Sequence, residues 1–525
     1  MNIIERLKGV LKRMFSTETI ESALRIQPTI SSRMKSNIEL WESMYKNESP
    51  WLASSQSVLI SSLNIAATIA SEKARTATIE MQVKITGESE RGEYIKEQFQ
   101  KLLGKLRVNL EYGIALGGFI IKPYVVKGAD GKLQIEFNCI KATDFYPLSF
   151  SSEGGLTEAA FVSRIIEKDK IYTKLEHHKL EGTTLTISNL AFESSYRSNN
   201  LADIRDGELG HEIPLTSVPE WALDEPTIII NNIDELLFAY FKMPLANTID
   251  LNSPLGVSGF SRAVDLIRDA DYQYSNLLWE FQGGQLAIDV DRTVLNPIKE
   301  GKGDSNIRAL PQLQERLFRH NLDFGTDEFY QVFSPVLRDG SIINGLNTIL
   351  MQIEDKCDLS RGTLSSVTYA EARTATELKI LKQRTYSANE DIQKELQRVL
   401  EHVIRIMDKY CDLYNIVPSG EYDVAYAWDD SIIVDKDSER QSDMLDVDAG
   451  LMSRIEYRVK WYGETEKQAE DAIKKIDELK LKQMEQEQKA MFVNVQDNPK
   501  NVGKTNVENK NKQTRAIESK ETTQQ

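Results

Sequence analysis

The chain has 525 residues, 41% of them hydrophobic, which is more than one core serves and enough to build two or more structural units. Its 64 basic and 80 acidic residues leave a net charge of −16, the wrong sign for a protein that grips duplex DNA by neutralising phosphates. Cys139, Cys357 and Cys411 lie far apart with no CxxC pair and no zinc-like histidine spacing, so they read as buried free thiols in a reducing compartment.

The first segment, MNIIERLKGVLKRMF, lacks the apolar core and cleavage site of a signal peptide, and no run of about eighteen apolar residues follows it. The expectation is a protein made and kept in the cytoplasm, with no membrane partner. Ile4, Leu7, Leu11 and Met14 share one face while Arg6, Lys8, Lys12 and Arg13 lie elsewhere. That pattern favours a peripheral helix docked on protein over one lying on a membrane surface.

Residues 33–116 are mostly helical in pattern, with TIESALRIQPTISSRM just before and SVLISSLNIAATIASEKART within. From Phe119 the period changes to that of strands: FIIKPYVV, a turn ending in Asp130-Gly131, then KLQIEFNCI, AAFVSRII, KIYTKLEHH and TTLTIS. The short connections predict an antiparallel sheet. A polar stretch over 194–209 leads to SPLGVSGFSRAVDLIRDADYQYSNLLWEFQGGQLAIDV, read as a turn, one long helix, a Gly283-Gly284 stop and a strand. Ser258 or Ser261 is expected to cap that helix.

Over 285–333 short strands (QLAIDV, FYQVF) alternate with mixed sequence. In DGSIINGLNTILMQIEDKCDL, Ile342, Leu346, Ile349 and Ile353 predict a second helix that stops near Arg361-Gly362. The longest helical pattern runs from Arg373 to Asn415 and would extend about 65 Å, so a kink or two segments is expected. YDVAYAWDDSIIVD then reads as a strand, helices fill 436–490, and the end, almost free of large apolar residues, reads as a disordered, solvated tail.

No phosphate loop, HExxH or GxSxG motif is present, so no catalytic residue and no cofactor is assigned. His177 and His178 adjoin Glu176, but on a strand their rings point to opposite faces, and a surface strand is the preferred reading over a metal site. Asp265 and Asp269 share a helix face, with Asp271 nearby, which is the raw material of a metal-dependent phosphodiesterase. Arg262 and Arg268 make ion pairing the simpler reading. Arg361 to Arg373, RGTLSSVTYAEAR, is a small-residue loop between two helices, long enough to be functional.

Seven blocks in order resemble the portal proteins of tailed bacteriophages, the group from phages of low-GC Gram-positive bacteria. They are the Pro254–Val290 stretch, with Asp271 and Trp279-Glu280-Phe281, and RMKSNIELWESMYKNESPWL (33–52), YGIALGGFIIKPYV (112–125), YTKLEHHKLEGTTLTISN (172–189), LFAYFKMPLANTID (237–250), FSPVLRD (333–339) and DLSRGTLSS with RTATELK (358–379). The resemblance implies an α+β fold, mainly helical, with an antiparallel wing sheet, a helical stem, a small α/β clip, a long kinked crossing helix and a helical crown. It divides the chain into an N-terminal peripheral helix (1–32), wing (33–255), stem helix (256–284), clip (285–335), second stem helix (336–360), tunnel loop (361–373), crossing helix with a returning wing strand (374–435), crown (436–490) and tail (491–525).

The implied role is non-enzymatic: a dodecameric ring at one capsid vertex, assembled in the bacterial cytoplasm, through which double-stranded DNA is packaged and ejected. Its partners would be the terminase large subunit, the scaffold and major capsid proteins, and head–tail adaptor proteins. The tunnel loop would present Arg361, Thr363, Ser365, Ser366, Thr368 and Arg373 to DNA. An acidic inner wall would keep phosphates from sticking, though solubility explains the charge equally well. The rivals are a metal-dependent phosphodiesterase and a coiled-coil scaffold or adaptor; weak e/g charge pairing around 378–414 disfavours the latter.

Overall fold

The computed structural model describes residues 18–24, 30–52, 60–79, 81–128, 131–151, 155–195, 208–251, 253–291, 297–298, 307–308, 318–321, 330–366, 375–428, 436–462, 468–479 and 481–482. The amphipathic segment around Ile4 to Met14, most of the clip sequence and the C-terminal tail lie outside these residues. Two compact units divide at Asp429/Asp430.

The larger unit is built on helices α1 (Ile20–Leu24), α2 (Ser32–Tyr45), α3 (Ile65–Thr78) and α4 (Glu90–Leu116). Ser31 and Ser89 cap α2 and α4 through Met34 N and Gly92 N. Ile95, Phe99, Leu102, Leu106 and Leu110 recur at three and four along α4 and are all buried, so this one helix forms the spine of the main core. Between α3 and α4 the chain makes a strand, β2 (Met81–Thr86), within a region expected to be mostly helical. Its sequence, MQVKIT, alternates and pairs with a strand far along the chain, a partner no local pattern shows.

Strands β3 (Gly118–Lys127) and β4 (Leu133–Lys141) form the first expected hairpin, joined on its other side by β11 (Ala239–Lys242). The remaining expected strands belong to a different sheet. Here β5 (Phe145–Phe150), β6 (Leu156–Glu167), β7 (Lys170–Glu181), β8 (Thr184–Ser195) and β9 (Glu208–Ile213) run antiparallel in sequence order, with β1 (Glu18–Thr19) on β9 and β10 (Thr227–Asn231) on β8. One sheet was expected and two form, because the short helical turn Ala142–Asp144 carries the chain from one to the other.

Helix α5 (Val264–Gly283) follows a short 3-10 turn over Ser261–Ala263, and neither expected serine caps it: its N-cap is Ala263, which makes no side-chain cap bond. Ser258 Oγ instead accepts from Phe260 N within the preceding turn. Next come β12 (Ala287–Asp291), β13 (Pro297–Ile298), β14 (Ile307–Arg308), β15 (Phe318–Asn321) and β16 (Tyr330–Phe333); β12 pairs parallel with β15 and antiparallel with β16. Helix α6 (Asp339–Lys356) packs against α5.

Helix α7 (Ala375–Leu413) is a single uninterrupted helix of 39 residues, not two segments. Its second half is anchored by burial: Ile392, Leu396, Val399, Val403, Ile406 and Met407 are each fully buried, and the helix packs on α3, β3 and β11. Strand β17 (Asp423–Trp428) then pairs with β2. The smaller unit contains α8 (Lys436–Asp448), α9 (Arg454–Tyr462) and a further helix over 468–479. The fold class is α+β, as expected.

Candidate functional site

Helices α5 and α6 and the turn after them are where sequence expectation and geometry meet. Glycine-rich blocks far apart in sequence set the base of α5. Gly117 ends α4 at φ +90°, and a Cβ there would stand 2.4 Å from Gly256 O; one on Gly256 would stand 2.0 Å from Gly117 O. Gly259 N donates to Ile114 O at 2.8 Å and Met243 N to Gly117 O at 3.0 Å, so three blocks interlock through backbone.

Asp271 lies fully buried on α5 and accepts from Trp51 Nε1 and from Leu63 N, both at 2.9 Å. Ser275, one turn on, accepts from Ser61 N at 2.8 Å. These bonds fasten the segment preceding α3 along α5. Asp265 and Asp269 point to solvent and share Arg268, at 3.2 and 3.4 Å. The three aspartates therefore do not converge, and Asp271 has spent both oxygens on structural donors.

The end of α5 is tied to the start of α6 by Glu280, which accepts from Arg338 N, Nε and Nη2 at 2.9, 3.2 and 2.8 Å. These bonds hold the Glu280 carboxyl down to about 2. At the other end of α6, Asp358 adopts φ +54° and Ser360 Oγ meets Thr385 Oγ1 at 2.8 Å, joining the turn to α7.

Of the six loop residues named from sequence, Arg361, Thr363 and Ser366 are exposed, and Ser365 is 6% exposed. Arg361 pairs with Asp355 at 2.9 Å, and Thr363 Oγ1 donates to Ser360 O at 2.6 Å. Thr368 and Arg373 lie outside the described residues. Ser365 is not free: its hydroxyl donates to Glu354 Oε2 at 2.8 Å. Sequence reasoning missed Glu354 and Asn347, which hold this turn to α6; the one available signal was a carboxylate beside Ile353 in the helical pattern.

His177 and His178 sit on β7, and the expectation of a surface strand fails for His178, which is 2% exposed and packs edge-on against Phe161 and Phe238. His178 Nε2 meets Glu176 Oε1 at 2.7 Å, whereas His177 Nε2 meets Glu158 Oε1 at 2.8 Å. The two rings serve different carboxylates.

The sequence matches a family model described as phage portal protein, SPP1 Gp6-like, over residues 28–489. Among solved structures the chain is similar to one titled "Neck of native GTA particle computed with C12 symmetry", at 8% identity and a TM-score of 0.37, covering 82% of this chain and 94% of that one. No curated protein matches.

Proposed function

The chain belongs to the SPP1 Gp6-like phage portal protein family, and we propose that it forms a dodecameric ring through which double-stranded DNA is packaged and ejected. Membership implies a portal or connector role in the virion as a ring-forming oligomer, and a structural family is consistent with a non-enzymatic role. In our reading the ring nucleates head assembly with the scaffold and major capsid proteins, docks the terminase large subunit during filling, and later binds head–tail adaptors. The motor force comes from the terminase.

In this assignment the wing comprises 33–255, with α2–α4 and both sheets. The stem is 256–284 and 336–360, carrying α5 and α6, and the clip is 285–335 between them. Residues 361–373 form the tunnel loop, 374–435 the crossing helix α7 with the returning β17, and 436–490 the crown. Residues 1–32 supply a peripheral helix. Arg361, Thr363, Ser366, Thr368 and Arg373 face DNA, while Ser365 supports the loop from beneath.

The observation that carries the reading is the family match over 28–489. Supporting it is the element order: two medium helices enclosing a small strand insert, then a 39-residue helix. The test is size-exclusion chromatography with mass measurement on the full chain, paired with a nuclease assay in magnesium or manganese. A ring-sized mass without DNA cleavage is expected. Metal-dependent cleavage by the wild type that disappears in Asp269→Ala would carry the phosphodiesterase instead.

A further inference from the structure

The turn after α6 is held by side chains whose arrangement exceeds what packing needs. Glu354 is 0% exposed, and a carboxylate so placed carries a large desolvation cost unless its oxygens are satisfied. They are. Oε1 accepts from Gly362 N at 3.2 Å, Leu364 N at 2.5 Å and Ser365 N at 2.8 Å, and Oε2 accepts from Ser365 Oγ at 2.8 Å. An apolar side chain would fill the same volume without that cost. What the carboxylate adds is a grip on three backbone N–H groups, which packing cannot reproduce.

Two turns earlier on the same side of α6, Asn347 grips the next residue. Its Oδ1 accepts from Ser366 N at 2.8 Å and its Nδ2 donates to Ser366 O at 3.1 Å, as a backbone partner would in a sheet. The chain over 362–366 is thereby folded back along α6 and fixed at two points.

We propose that Glu354 and Asn347 are positioning residues for DNA passage: they clasp residues 362–366 to the second stem helix, so that this stretch moves with α6 and not independently of it. The proposal rests on the portal reading for its functional consequence. The clasp itself is a statement about geometry and is measured separately.

The experiment uses the full chain as wild type, Glu354→Ala, Glu354→Gln and Asn347→Ala. It reads peptide-level hydrogen exchange over 360–366 in the purified oligomer, and the DNA content of particles assembled with each variant. Glutamine keeps one acceptor oxygen for the backbone and offers Ser365 an N–H, so it should rescue what alanine loses. Glu354→Ala should raise exchange by about 100-fold and lower DNA content about tenfold, with Glu354→Gln within about threefold of wild type in both. Should Glu354→Ala fail to assemble, Asn347→Ala, which loses only the Ser366 pair, carries the same two readouts with smaller changes. Exchange that stays at the wild-type level, or raised exchange with wild-type DNA content, overturns the proposal. If wild-type protein itself gives no DNA-filled particles, it is the portal reading that falls.

Discussion

Gly117 and Gly256 show how single positions carry the architecture. Each backbone carbonyl occupies the space where the other residue's Cβ would be, and Gly117 also sits in the left-handed region. Gly117→Ala therefore combines backbone strain with an overlap against main chain that no rotamer relieves. We expect it to cost about 3 kcal/mol and to lower the melting temperature by several degrees in thermal unfolding. A melting temperature equal to wild type would contradict the crossing. Both glycines stood out in the sequence as members of separate blocks, but nothing in either block says that they touch. The same blindness hid Glu354 and Asn347: most of their partners are backbone N–H and C=O groups, which every residue carries and no motif marks. Ser258 misled for the opposite reason, since a serine before a helix can equally bond within its own turn, as it does with Phe260.

At the scale of elements, the hairpins were legible because alternation and short turns are local signals, as β6, β7 and β8 show. The pairing of β2 with β17 was not, because strands separated by most of the chain share no local pattern. Nor was the tie between the two sheets. Lys122 on β3 donates to both oxygens of Glu176 on β7, at 2.7 and 2.8 Å, and His178 adds a third bond. Burial alone would raise the Glu176 carboxyl, yet Lys122 and His178 hold it well below its ordinary 4.5. Burial pushes His178 below its ordinary 6.5, so the neutral ring donates through Nε2.

Both groups thus bind fewer protons folded than unfolded in acid. The stability they contribute is whole above pH 6.5. It declines as His178 takes up a proton in the unfolded chain below that value, and declines further below 4.5 as Glu176 does the same. Lys122→Met removes the cation that holds the carboxylate, and we expect it to cost about 3 kcal/mol near neutrality. It should also move the acid-unfolding midpoint to higher pH, followed by circular dichroism. An unchanged midpoint would show that the two sheets are not coupled through this pair.

For the whole molecule, composition set the class and the resemblance set the role. The net charge of −16 counts against tight DNA binding, and solubility explains it as well as an acidic inner wall would. Among the described residues no helix is long and apolar enough to cross a membrane. The family match covers 28–489, and within it two medium helices, α5 and α6, flank short strands and precede the 39-residue α7. What one chain cannot display in its sequence is the symmetry of the assembly, because a ring arises from contacts between copies and not from any pattern along one of them. Electron microscopy of the purified full chain, alone and with scaffold, is the most direct test. The account predicts closed rings with an axial opening wide enough for duplex DNA; particles without a central hole, or only monomers and dimers at every concentration, would contradict it.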